Sequence, residues 1–129
     1  MYLLDTNIII KFLNNQNNIT DFCSNLNKFH IAAITVGEML YGAENSQKKK
    51  ENTAKYNAFF STCTIHNIDP LIAKEYAVLR KILKDKGKPI PENDIWIAAM
   101  AKHLDFTLVT TDCHFKSIDT EIKIIFFDK

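Results

Sequence analysis

No stretch of this sequence approaches the roughly 20 consecutive apolar residues that cross a bilayer. Its first residues also lack the basic segment and apolar run of a secretory signal, because Asp5 breaks the opening apolar run at once. Cysteine is sparse: Cys23, Cys63 and Cys113 are scattered, odd in number and form no Cys-x-x-Cys pair. That argues against both a disulfide framework and a thiolate zinc site. The expectation is a cytoplasmic protein in a reducing setting, with no membrane partner. Arginine is nearly missing, with Arg80 the single example among 16 basic residues, so phosphate recognition by guanidinium forks is scarce and lysine or backbone amides must carry it. Nor is there a strong net charge; the formal value is +1.

What is present is an ordinary globular composition, 47% hydrophobic and 24% charged over 129 residues. This is the profile of a single domain, residues 1–129, able to bury its own core. Short apolar runs predict strands at 2–4, 30–34, 64–68, 107–110 and 123–127. Between them, helical spacing and capping residues predict helices at 7–14, 22–28, 36–45, 48–60, 70–86 and 95–104. Asp5-Thr6, Thr35 and Asn93 or Asp94 are the expected caps at helix starts, Pro70 a first helical residue, and Gly87 a C-cap before the rigid Lys88-Pro89-Ile90-Pro91 connection. Strands alternating with helices imply an α/β fold, a parallel sheet of about five strands covered on both faces. In such sheets functional groups gather beyond the carboxyl ends of the strands.

Four acids fall in that zone. Asp5 follows the first strand, and on its own a capping role explains it as well as any other. Glu38 stands three residues after Thr35, the spacing of a capping box. Asp112 follows the fourth strand and has a turn to cap. Asp94 is harder to dismiss: it shares a helical stripe with Ile97, Ala98 and Ala101, so its carboxylate faces packed protein and needs a partner or a metal to offset desolvation. Four unrelated caps are a weaker account than one shared site.

Gathering them is unfavourable, since two like charges about 4 Å apart repel by about 4 kcal/mol at an effective dielectric near 20. A divalent cation removes that penalty, and an all-oxygen donor set favours Mg²⁺ or Mn²⁺ over zinc. Phosphodiester hydrolysis is the chemistry such a site performs well. With the four acids set apart as one pit, the rest of the surface carries 16 basic residues against 11 acidic ones, a body suited to a polyanionic substrate.

Four segments in order, Tyr2-Leu3-Leu4-Asp5-Thr6-Asn7, Ile34-Thr35-Val36-Gly37-Glu38-Met39-Leu40-Tyr41-Gly42, Asn93-Asp94-Ile95-Trp96-Ile97-Ala98-Ala99 and Leu108-Val109-Thr110-Thr111-Asp112-Cys113-His114-Phe115, resemble the PIN-domain ribonucleases. Within that family they are similar to the VapC-type toxins of bacterial toxin–antitoxin pairs, over nearly the whole chain. The resemblance implies a three-layer α/β/α PIN fold with Asp5, Glu38, Asp94 and Asp112 as the catalytic, metal-binding acids. It implies Thr6, Asn7 and Thr110 as polar residues supporting them, and Gly42 as a small residue for close packing of the helix after Glu38. It further implies an Mg²⁺- or Mn²⁺-dependent endoribonuclease, with tRNA among its targets, working as a homodimer and neutralised by a VapB-type antitoxin.

Other features have plainer readings. Lys48, Lys49, Lys50, Lys81, Lys84, Lys86 and Lys88 read as solvated helix faces, with guidance of an RNA backbone as the alternative. Ile8-Ile9-Ile10-Lys11-Phe12-Leu13 is apolar around most of a helix, which core packing or a protein contact would explain. Trp96 and Phe59-Phe60 are assigned to packing, and His114 is left outside the site. The rival functions are a PIN nuclease outside toxin–antitoxin systems, a haloacid-dehalogenase-type phosphotransferase and a non-catalytic α/β binding module. The phosphotransferase expects a second Asp where Asn7 stands, and a receiver-like module expects a lysine where Thr110 and Thr111 stand.

Overall fold

The computed structural model describes residues 1–129 and places five parallel strands in the order β3-β2-β1-β4-β5. They are β1 (Tyr2–Leu4), β2 (Phe29–Ala32), β3 (Cys63–His66), β4 (Thr107–Thr110) and β5 (Ile124–Phe126). Six α-helices, α1 (Thr6–Leu13), α2 (Asn17–Ser24), α3 (Ala33–Glu44), α4 (Lys49–Phe60), α5 (Pro70–Asp85) and α6 (Glu92–Leu104), connect them, and a 3-10 helix spans Cys113–Ile118. The chain winds outward from β1 through β2 to β3, then returns to lay β4 on the other side of β1. The strand order therefore reverses at the β1/β4 pair, where Leu3 registers with Leu108 and Leu4 with Val109.

Alternation along each strand divides the core in two. Leu3, Ala32 and Leu108 face one way, into a cluster with Ile72, Leu79 and Leu83 of α5 and Ile95, Ala98 and Met100 of α6. Leu4, Ile31 and Val109 face the other, against Ile8 and Ile9 of α1, Ile19 and Cys23 of α2, Met39 of α3 and Phe59 and Phe60 of α4. Burial on both faces is why the central strands β1, β2 and β4 read as short apolar runs, while β3 and β5 at the edges are partly exposed. The apolar excess of α1 is used internally: Ile10, Phe12 and Leu13 pack around the second cluster. Phe59 and Phe60 are core residues, as expected, while half-buried Trp96 stacks on Tyr76 with centroids 3.8 Å apart and planes 8° from parallel.

Several expected boundaries move. The second strand ends at Ala32 and α3 begins at Ala33, because the run Ile31-Ala32-Ala33-Ile34 carries no period of its own and alanine favours the helix. Thr35 is thus not a cap: α3 has no side-chain cap, and Thr35 is a fully buried residue inside its first turn. Likewise α6 starts at Glu92 behind an extended Pro91, so Asn93 and Asp94 lie within its first turn instead of capping it. The second helix occupies Asn17–Ser24, earlier than 22–28, since Ile19 and Cys23, four residues apart, supply its buried face within a polar Asn-rich stretch. The third strand, Cys63–His66, begins and ends earlier than 64–68 because it follows the pairing of Phe29 with Cys63 and Ala32 with His66. Asp69 caps α5 by accepting a bond from the Ile72 amide at 2.9 Å, with Pro70 in its first turn. Gly87 follows that helix at φ 67°, a left-handed conformation that glycine adopts without a Cβ penalty.

Close packing does not explain Gly42. A Cβ built there, or at Gly37 on the same helix, would meet nothing within 4 Å. Each glycine weakens α3 by about 0.5–1 kcal/mol relative to alanine without an internal contact to offset it.

Candidate active site

The acids sit where the chain leaves the carboxyl ends of β1 and β4 and enters helices. Asp5 follows β1, its amide donating to the Val109 carbonyl at 2.9 Å, which locks it to the neighbouring strand. Its side chain is 4% exposed. Oδ1 accepts from the Thr6 amide at 2.9 Å, so Asp5 does cap α1, and Oδ2 accepts from the Thr110 hydroxyl at 2.7 Å. Thr110 in turn accepts from the Asp112 amide at 3.0 Å, tying the β4 exit to Asp5. Thr6 performs the matching task for α3, donating through Oγ1 to Glu38 Oε1 at 2.9 Å with its oxygen 3.3 Å from the buried Thr35 hydroxyl.

Asp112 caps the 3-10 helix, Oδ1 accepting from the His114 amide at 2.9 Å, and the same oxygen lies 2.9 Å from His114 Nδ1. Asp94 enters from the first turn of α6. Its pKa is pushed up to about 7, first by burial, then by the charges of Asp5, Asp112 and Glu38, and by a hydrogen bond with Asp112. Burial also raises Asp5, partly countered by its bonds from Thr110 and Thr6, while the charges of Glu38 and Asp112 raise it further. Four segments spread over the chain thus form one electrostatically coupled set. Asn7 differs: it is exposed on α1 and makes none of the hydrogen bonds that hold the acids.

As placed, no group of three or more His, Cys, Asp or Glu side chains is arranged to hold an ion. The donor chemistry nevertheless fits a hard divalent cation: the acids offer only carboxylate oxygens, and their mutual repulsion is what a counter-charge would relieve. Thr35 and His114 are the neighbours that sequence reasoning missed. The Thr35-x-x-Glu38 spacing contained the signal for Thr35, since residues three apart share a helix face. For His114 there was only proximity to Asp112 in the chain.

Outside this set, the lysine faces are mostly solvated or paired. Lys49 meets Glu44 at 2.8 Å, Lys81 meets Asp85 at 2.6 Å, and Lys86 donates to the Ser117 carbonyl at 2.7 Å. Arg80 is held by the Tyr76 hydroxyl at 2.7 Å and lies 3.6 Å from Glu92, to which Tyr76 also donates. Cys23, Cys63 and Cys113 are free.

Residues 2–121 match the PIN domain, and the chain belongs to the PIN-domain family. It is 36% identical to the Haemophilus influenzae protein named ribonuclease VapC2 over 113 residues, 86% of each chain. It is 32% identical over 113 residues, again 86% of each, to the Shigella flexneri tRNA(fMet)-specific endonuclease VapC. Among solved structures, a chain of VapBC2 from Rickettsia felis bound to a DNA fragment from their promoter superposes with a TM-score of 0.89 at 28% identity, covering 98% of both chains.

Proposed function

We propose that this chain is the toxin of a toxin–antitoxin pair, a metal-dependent endoribonuclease that hydrolyses RNA phosphodiester bonds, with tRNA as its first candidate substrate. The observation that carries the reading is the coupled carboxylate set Asp5, Glu38, Asp94 and Asp112 at the strand-order reversal of a PIN fold. Its relatives named ribonuclease and tRNA(fMet)-specific endonuclease point to RNA, and the VapBC complex points to a VapB-type antitoxin. The four acids are the proposed ligands of Mg²⁺ or Mn²⁺, which when bound would neutralise the phosphate and activate water for attack. Thr110 fixes the Asp5 carboxylate and Thr6 fixes Glu38, so both are oriented before substrate arrives. Asp94, its pKa pushed up to about 7 by burial and by the charges of Asp5, Asp112 and Glu38, is the acid expected to give up its proton when a cation enters. Asn7 is proposed to act on bound substrate, consistent with its exposure next to Thr6.

The working assembly is proposed to be a cytoplasmic homodimer. Its support is the exposed pair Leu71 and Val78, 52% and 50% accessible and two turns apart on α5. No helix is long and apolar enough to cross a membrane.

Purified protein is expected to cut bulk tRNA with Mg²⁺ or Mn²⁺, to stop on chelation and to lose activity as Asp94→Asn. Full cleavage in the presence of chelator would remove the metal, and full cleavage by Asp94→Asn would remove that residue's role. Co-expression with the gene adjacent to its own is expected to restore growth if that gene encodes the antitoxin. Sedimentation of wild type against Leu71→Lys/Val78→Lys checks the dimer.

A further inference from the structure

Helix α3 presents a face to solvent that its own fold does not use. At 100° per residue, Gly37, Glu38, Tyr41, Gly42 and Asn45 fall within roughly 140° of arc. Gly37, Tyr41, Gly42 and Asn45 are all exposed, and the Tyr41 side chain is 68% accessible without an aromatic neighbour. Both glycines leave the helix backbone bare, with open space where a Cβ would stand. Near its start the face includes Glu38, whose Oε1 accepts from the Thr6 hydroxyl at 2.9 Å.

A single accessible ring flanked by bare backbone, an amide and an acid offers little apolar area, whereas the centre of a protein interface is built from several apolar side chains. It matches a flat partner lying close along the helix, and every nucleobase offers such a face. Continuity with Glu38 places the ring one helical turn from the proposed point of cleavage.

We propose that Tyr41 is a substrate-positioning residue that stacks on an unpaired base of the RNA beside the scissile bond, with Gly37 and Gly42 allowing the strand to approach the α3 backbone. This inference rests on the ribonuclease reading of the same site. It makes strand placement depend on ring area and not on base identity, so Tyr41 favours single-stranded RNA without selecting a sequence.

The test starts from wild-type protein with bulk tRNA, to map the cut, and continues with a synthetic RNA stem-loop carrying that cut. Tyr41→Ala is expected to raise KM about tenfold at nearly unchanged kcat, the scale of one lost base–aromatic stack. Tyr41→Phe and Tyr41→Trp should stay within about twofold of wild type. An abasic site next to the scissile bond should reproduce the Tyr41→Ala loss, and combining the two should add little. Wild-type KM in Tyr41→Ala, or a Phe variant as impaired as Ala, would overturn the stacking role. A sedimentation shift in Tyr41→Ala with RNA kinetics unchanged would instead assign the face to a second copy of the chain. Failure of the wild type to cut any RNA would overturn the parent reading and this one together, whereas active wild type beside fully active Tyr41→Ala overturns this one alone.

Discussion

Asp94 stands at the meeting point of burial and three other carboxylates, and its ionisation near pH 7 has a definite sign for stability. Its folded pKa of about 7 lies above the ordinary value of 3.8, so the folded protein takes up the proton first as pH falls. In metal-free protein this group adds stability on acidification from about pH 8 toward pH 4 and removes it in the opposite direction. Asp94→Asn should therefore raise the Tm at pH 8 in chelator by a few degrees, and flatten that part of the pH profile in scanning calorimetry, while cleavage falls by about 100-fold or more. Thr110→Val tests the next layer. Losing the 2.7 Å hydrogen bond to Asp5 is expected to weaken Mn²⁺ affinity by about 10–100-fold in titration calorimetry, with the fold retained in circular dichroism.

At the scale of elements, the β2/β3 edge of the sheet carries a second titration. His30 Nδ1 and His66 Nε2 lie 2.9 Å apart across the two strands, with Phe106 against both rings. Burial depresses the pKa of each, and His66, Lys28 and the chain's amino terminus depress His30 further. A folded-state pKa below 6.5 means the unfolded chain binds these protons first. Stability contributed by the pair is full above pH 6.5 and is lost as pH falls through that value. Because Asp94 acts in the opposite direction, the effect is expected to emerge cleanly in the Asp94→Asn background, as a falling urea midpoint between pH 7 and 5 that His66→Asn reduces.

The same edge shows what was legible in the sequence. Apolar runs and caps located all five strands and the α1, α4 and α5 helices; β1, β2 and β4 read as runs because both their faces are buried, whereas β3 and β5 are partly exposed edge strands. The Thr35-x-x-Glu38 capping box failed for a physical reason: alanine carried the helix start three residues further back, and Thr35 became a buried partner of Thr6. The convergence of four acids was readable only as a set, since Asp5 and Asp112 are indeed caps and each one's local role hides the shared one. The vacant face beside Gly42 was not legible, because a glycine in sequence does not reveal whether a neighbour or open space lies against it.

For the molecule as a whole, relief of carboxylate repulsion would link binding of the proposed ion to folding. Saturating Mg²⁺ or Mn²⁺ is expected to raise the wild-type Tm by about 5 °C or more, and to do so far less in Asp94→Asn, as read by scanning fluorimetry. A wild-type melt unmoved by either cation would count against the four acids as ligands.

The hydrogen bond from Thr110 to Asp5 also has a meaning in time. It joins residues 105 apart in the chain, and the central strand β1 has no β4 beside it until almost the entire polypeptide exists. During translation the first three strands can assemble while Asp94 and Asp112 are still missing, so an emerging chain is expected to be inactive if the proposed four-acid site is the catalytic one. On that reading, an inhibitory partner is needed only once the last fifth of the chain has emerged and β4 has closed against β1.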